Sequence, residues 1–209
     1  MRSLYCLCFT IFLVTGGIAV MRQKNDHFKI RSAGPKTPAD NEYARIYNYG
    51  IKAKMYVEHR NYCKKYCFLV DMRIASGKKR FFLYDLVKDS VTASGMVTHG
   101  CGSETGTPNL KFSNTCSSLA TSLGKYRIGQ EYHGTYGLAF KLYGLDSSNS
   151  NAYRRAVVLH AHPLVPADET WPQNICTSWG CPTVNPYFLL LLKKYIDHAG
   201  EPVLLWVVY

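Results

Sequence analysis

Between Tyr66 and Val97 the chain alternates short β-prone segments with turn signals, and this stretch constrains the fold more than any other. Tyr66 to Ile74 is rich in aromatic and branched residues, Ser76-Gly77-Lys78-Lys79 reads as a turn, and Arg80 to Val87 as a second strand. Asp89-Ser90 turns the chain into a third strand, Val91 to Val97. Two hairpin-like units in succession predict an antiparallel sheet. Further short strands are expected near Lys125 to Ile128, Tyr136 to Tyr143 and Ala156 to His160, punctuated by Gly124, Gly129, Gly134, Gly137 and Gly144. Val203 to Tyr209 is almost wholly apolar and reads as a buried final strand.

Two segments break this β pattern. Ala44, Tyr47, Ile51 and Met55 recur at helical spacing, which predicts an amphipathic helix over Asn41 to His59 with Asp40 as its N-cap. Asn185-Pro186 opens a second helix carrying Phe188, Leu189, Leu192, Tyr195 and Ile196, and Gly200 ends it. Polar loops fill His99 to Gly124 and Pro163 to Cys176. The fold class is therefore mainly β (α+β), with a helix near each end. At 209 residues, 47% hydrophobic and 19% charged, the composition is that of one folded domain.

Residues 1–24 bear on the compartment. Arg2 precedes an uncharged run from Ser3 to Met21, which Arg22 and Lys24 close. This resembles an export signal with cleavage after Ala19, and the run is also about long enough for an uncleaved membrane anchor. Cys6 and Cys8 fall too early for a lipoprotein attachment site. Either way the domain is expected outside the cytoplasm, in the cell envelope. Residues 25–40 have linker composition, and the folded domain is expected over residues 41–209. The net charge of +11 suits an anionic partner. Its cations are scattered, however, and no nucleic-acid motif is found among them, so a solvated basic surface is the simpler reading.

The chemistry is concentrated in Thr177-Ser178-Trp179-Gly180-Cys181-Pro182 and, upstream, Leu159-His160-Ala161-His162. A thiol becomes a strong nucleophile when a nearby imidazole takes its proton. The N–H groups of Gly180 and Cys181 are candidates to face a developing oxyanion, since glycine lets the chain approach a substrate closely. His160 and His162 would share one face of a strand, and either is a candidate base. The bland reading of Cys181 is a buried small hydrophobe or half a disulfide. An alternative makes His160, His162, Cys176 and Cys181 a structural zinc site, although their spacing is unusual for one. Among the cysteines after the leader, Cys101 and Cys116 are candidates for a structural bridge in an oxidising compartment. A Cys176–Cys181 disulfide would switch a thiol site off, with Cys176 as a plain loop thiol the simpler reading.

His-Ala, a long loop, then Ser-Trp-Gly-Cys resembles the signature of the L,D-transpeptidase catalytic domain (YkuD type), which is a His, a loop, and Ser/Thr-His-Gly-Cys. Further segments are similar, in order, to a branch of that family found in Gram-negative envelopes, the one that carries Ser-Trp-Gly-Cys-Pro. They are Phe68-Leu69-Val70-Asp71 with Arg80 to Leu86, His99-Gly100-Cys101-Gly102-Ser103, Phe112-Ser113-Asn114, Ser122 to Arg127, Tyr132 to Leu138 and Leu142 to Leu145. The resemblance covers about residues 66–207 and implies a β-sandwich. It makes Cys181 the nucleophile, His160 rather than His162 the general base, and Ala161 the residue whose carbonyl orients the imidazole. Gly180 and Ser178 belong to the same motif. Trp179, His162, His133, His99 and Ser103 are candidate cleft residues, with structural roles as the alternative. Neither metal nor organic cofactor is implied.

The implied reaction is ping-pong. Cys181 thiolate attacks the carbonyl of the third residue of a peptidoglycan tetrapeptide stem and expels the terminal D-alanine. An amine of a neighbouring stem, or water in an L,D-carboxypeptidase, then resolves the thioester. A non-catalytic wall-binding domain is the remaining alternative. The sequence departs from the commoner signature at Trp179, which replaces a second His. It departs again at Pro182-Thr183, which replaces a hydrophobic residue followed by Asn or Arg, so the partner of a substrate carboxylate is missing from the motif.

Overall fold

The computed structural model describes residues 38–209. The expected leader and the linker up to residue 37 lie outside the described residues, and because α1 begins at Pro38, Asp40 sits inside the helix and is not its N-cap. Helix α1 (Pro38–Glu58) leads into strands β1 (Tyr66–Asp71), β2 (Phe81–Asp85) and β3 (Ser90–Gly95), which pair as the antiparallel meander that the turn signals predict. Then come β4 (Gly124–Gly134), β5 (Gly137–Gly144), β6 (Val158–Ala161), β7 (Thr183–Val184), α2 (Pro186–Asp197) and β8 (Leu204–Val208).

All eight strands form one sheet in the order β3-β2-β1-β8-β4-β5-β6-β7. The sheet is mixed, not antiparallel as expected. β8 inserts between β1 and β4, parallel to the first and antiparallel to the second, and β6 pairs with β7 in parallel. An apolar run such as Leu204-Leu205-Trp206-Val207-Val208 is suited to the centre of a sheet covered on both faces. Val97, just past β3, bridges to Val184 of β7, so the two ends of the sheet meet. The sheet thus folds over a core that includes Phe68, Phe81, Leu83, Phe140, Leu142, Leu159 and Leu205, with Leu189 and Leu192 of α2 packed into it.

The outer face of β1, β2 and β8 is covered by α1 through Cys67, Leu69, Tyr84 and Leu204. Here the expected apolar stripe is wrong: Tyr47 and Met55 are exposed, and the buried face is Ile46, Gly50, Ala53 and Val57. A Cβ at Gly50 would lie 2.2 Å from Tyr84 Cζ, so the helix meets the sheet through its smallest residues. Periodicity weighted by hydrophobicity passes over a glycine and an alanine and selects the larger side chains beside them. The Asn185-Pro186 start of α2 is as expected, with the Asn185 side chain accepting from Tyr187 N–H.

The stretch after β3 contains one 3-10 turn (Cys101–Ser103) and is otherwise irregular up to β4. Cys101 N–H donates to Ser178 O (2.8 Å), which ties this stretch to the segment carrying Cys181. The expected Cys101–Cys116 bridge is not formed, and all six described cysteines are free. Among the described residues no helix is long and apolar enough to cross a membrane.

Candidate active site

Parallel pairing of β6 with β7 sets His160 opposite Thr183. The His160 Nδ1 atom lies 3.0 Å from Ala161 O. A carbonyl only accepts, so Nδ1 carries the proton and Nε2 presents the lone pair. Nε2 lies 3.0 Å from Thr183 Oγ1, which donates to it. Burial lowers the His160 pKa, the Ala161 bond opposes that shift, and nearby His162 adds to it. The imidazole is therefore neutral at pH 7, with its basic nitrogen bonded to Thr183 in a residue that lines the same cavity as Cys181.

Cys181 Sγ lies 3.8 Å from Ala156 O. Ala156 is held in the left-handed region (φ 52°) just before β6, a conformation alanine seldom adopts, and its carbonyl is thereby turned to the thiol. Burial pushes the Cys181 thiol up, while the Val158 backbone and the charge of Arg155 pull it down. The resting pair is thus a neutral thiol and a neutral imidazole. Cys181 O accepts from Ser178 Oγ (2.7 Å) and Thr98 Oγ1 (3.3 Å), and lies 3.5 Å from Thr183 Oγ1 as an alternative acceptor for that hydroxyl.

Gly180 has a different job from the one expected of it. Its φ is +111°, and a Cβ there would lie 2.9 Å from Ala120 O and 3.2 Å from Arg155 Nη2. Gly100 on the facing segment is equally tight, with a Cβ position 2.8 Å from Gly180 Cα. The glycine lets two protein segments approach one another, not a substrate. Its N–H is taken up by Ser178 Oγ (3.2 Å), so only the Cys181 N–H is left from the expected pair of oxyanion donors.

These groups open on a cavity of about 480 Å³ lined by Cys181, His160, Thr183, Ser178, His162 and Cys176, with Tyr132 and Tyr136 opposite and Trp179 and Leu164 at the rim. Trp179 is 74% exposed, so it is a rim residue and not core. Among the described residues no three His, Cys, Asp or Glu side chains are grouped to hold a metal ion, which leaves the zinc alternative without a cluster.

The sequence profile of the L,D-transpeptidase catalytic domain matches residues 40–205. The chain belongs to the L,D-transpeptidase catalytic-domain family. Among solved structures it is similar to the helical cell shape determining protein Pgp2 of Campylobacter jejuni. That match has 12% identity and a TM-score of 0.41, over 76% of this chain and 54% of that one. It is also similar to the Ldtfm-avibactam carbamoyl enzyme (13%, TM-score 0.42, 69% and 50%). A third match is an L,D-transpeptidase from Xylanimonas cellulosilytica (12%, TM-score 0.38, 75% and 68%). This chain thus spans about half the length of the first two. No curated protein matches it.

Within this L,D-transpeptidase domain, three expected cleft residues lie elsewhere. His99 is buried beside Arg80, whose Nη2 donates to its Nδ1 at 2.9 Å. Ser103 is fully buried, its Oγ accepting from Thr121 N–H at 2.9 Å. His133 is exposed on β4, and its neighbour Tyr132 lines the cavity in its place, because successive strand residues point to opposite faces. Each sits close in sequence to a residue that does matter, which is why motif reading selects it.

Three residues that sequence reading passes over take part. Tyr136, in the Gly134–Gly137 turn, stacks on His160 with centroids 5.2 Å apart at 26° and meets His162 edge-on at 6.0 Å. Thr183 occupies the position of the family's Asn or Arg and bonds His160 instead. Arg155, one of the scattered cations of the sequence, sends Nη1 to Ser113 O (2.9 Å) and Ser122 Oγ (3.1 Å). Its Nη2 bonds Ser118 Oγ (3.3 Å) and Ala120 O. The cation thereby clamps the irregular 113–122 stretch beneath the Cys181 loop. Burial and hydrogen-bonding capacity, invisible in a linear pattern, separate it from Arg154.

Proposed function

We propose that this chain is a cysteine acyltransferase of the cell envelope that acts on peptidoglycan stem peptides. The observation that carries the reading is the tautomer of His160. With Nδ1–H held by the Ala161 carbonyl, Nε2 is the basic nitrogen of a residue that lines the same cavity as Cys181. In the resting site Nε2 accepts from Thr183, whose hydroxyl has a second acceptor in Cys181 O. Rotation of that hydroxyl toward Cys181 O leaves Nε2 to take the thiol proton. Bonds of this kind commonly tighten only when substrate binds.

The thiolate then attacks the carbonyl carbon of the third stem residue, and the Cys181 N–H faces the oxyanion, a contact worth about 3 kcal/mol in the transition state. The tetrahedral intermediate collapses as the C–N bond breaks. His160 returns its proton to the departing D-alanine amine, leaving a Cys181 thioester. An incoming amine gives a proton to His160 as it attacks, the C–S bond breaks, and the sulfur is restored as a thiol. Water in place of the amine gives carboxypeptidase activity from the same residues. An envelope location follows from this substrate and agrees with the export-like composition of residues 1–24.

Intact-mass spectrometry of the reduced full-length chain with a disaccharide tetrapeptide tests this. The expected result is a mass gain equal to the donor minus alanine, absent from Cys181→Ala and slowed about 10²–10⁴-fold in His160→Ala. An adduct that survives Cys181→Ala would sink the mechanism. An acceptor stem added to the acyl-enzyme gives cross-linked product if transfer prevails, and free tripeptide if hydrolysis does.

A further inference from the structure

The motif lacks the Asn or Arg that would meet a substrate carboxylate, yet the cavity supplies another donor. The His162 backbone is fixed at both ends, its N–H donating to Val184 O (3.0 Å) and its carbonyl accepting from Val165 N–H (3.0 Å). Its imidazole is fixed as well, because Leu164 N–H donates to Nδ1 at 3.2 Å. A nitrogen that accepts an N–H bears no proton, so the neutral ring carries its hydrogen on Nε2. Both histidines line the cavity and hold opposite tautomers: His160 accepts at Nε2 from Thr183, and His162 carries its N–H at Nε2.

Apart from the Cys181 backbone N–H, several nitrogen donors around the cavity are already engaged. All four Nη hydrogens of Arg155 have acceptors within the protein, and the Nδ1–H of His160 is held by Ala161. Besides His162, the lining side chains with an N–H left without an acceptor are Trp179, on a ring that projects from the rim, and Arg155 at its Nε.

We propose that His162 is a specificity-determining residue whose Nε2–H holds a carboxylate of the acyl-donor peptide. The proposal rests on the stem-peptide reading above. Two groups on a tetrapeptide stem share this chemistry: the free side-chain carboxylate of the diamino acid and the C-terminal carboxylate of the leaving D-alanine. A neutral imidazole donor suits either, since it binds the anion without a second cation beside His160, where added positive charge would weaken the base.

Calorimetric binding to the full-length Cys181→Ala chain separates these sources. The probes are a tetrapeptide with both carboxylates free, one amidated at the diamino-acid side chain, and one amidated at the C-terminus. Adding His162→Leu is expected to weaken the first about tenfold or more, as befits a lost hydrogen bond to a charged group. That penalty should vanish for one of the amidated peptides, which identifies the carboxylate. Adding His162→Gln, which keeps an N–H near the Nε2 position but cannot act as a base, should retain affinity within about threefold. Trp179→Phe should affect all three peptides alike.

Equal weakening of all three peptides by His162→Leu, no weakening, no detectable binding of the free tetrapeptide, or Gln behaving like Leu would each overturn the proposal. Acyl-adduct formation by the unmutated chain is scored separately. Carboxylate-dependent binding without any adduct would defeat the enzymatic reading and leave this site standing. An adduct whose formation ignores His162 would do the reverse.

Discussion

His160 and His99 are both buried histidines, and their Nδ1 atoms meet opposite partners. At His160 the partner is a carbonyl, so Nδ1 donates and Nε2 is the basic nitrogen of a residue that lines a cavity. At His99 the partner is the Arg80 guanidinium, so Nδ1 accepts and Nε2 carries the proton, buried and without a hydrogen-bond partner, 3.6 Å from Glu104. Protonating His99 requires a second hydrogen where Arg80 already supplies one. Burial, with Arg80 beside it, lowers its pKa to about 4 against the weaker pull of Glu104. The same side chain thus presents an accepting nitrogen in a residue that lines a cavity in one place and is a buried strut in another. The neighbouring atom decides which.

The sharpest way to break this contrast is to replace each histidine with glutamine. His160→Gln should slow Cys181 acylation about 10²–10⁴-fold and leave the melting temperature almost unchanged. His99→Gln should do the opposite, retaining acylation within about tenfold while lowering the melting temperature, because a buried bond to Arg80 is disturbed. Equal effects on rate from both variants would dissolve the distinction.

Acid titration of stability comes next in size. The folded pKa of His99 lies below the unfolded value, so between pH 6.5 and about 4 the unfolded chain binds a proton that the folded chain refuses. Stability is fully present above that window and falls as pH drops through it, by on the order of 3 kcal/mol. The depressed His160 pKa acts in the same direction. Denaturant unfolding across this range should show the slope in the native chain and a smaller one in His99→Gln.

Gly180→Ala probes the strut side of the Cys181 loop. A side chain at φ +111° facing Ala120 O should cost about 1–3 kcal/mol, read as a lower denaturation midpoint with slower acylation. Arg155→Met should raise the thiol pKa further, since it removes the charge that opposes burial. The pH profile of iodoacetamide alkylation at Cys181 should then move to higher pH, which a purely structural clamp would not cause. Smallest of all, Thr183→Val removes one hydroxyl bond to Nε2, worth about 1 kcal/mol. A several-fold change in acylation rate is the expected reading, with Thr183→Ser close to the native chain.

Much of the scaffold was legible. The β1–β3 meander and the start of α2 each depend on local rules, a turn chemistry in one case and an N-cap in the other. The face of α1 was not legible, because Gly50 and Ala53 are chosen by their fit against Tyr84 rather than by their hydrophobicity. β7 was missed because a two-residue strand has no periodicity to detect. In the candidate site, Cys181, His160 and Ala161 are proposed from their motif, whereas Thr183, Tyr136 and Arg155 come into view only through contacts between segments far apart in the chain.

Sequence by itself determined the family and the mainly β class, and it singled out Cys181 and His160 as the candidate thiol and imidazole, since each is written in contiguous residues. Only the tertiary structure decided which nitrogen of each histidine carries the proton and which glycine N–H is already engaged. Those properties belong to the atom on the other side of a hydrogen bond. For His160 that atom is the Ala161 carbonyl, for His99 the Arg80 guanidinium, and for Gly180 the Ser178 hydroxyl.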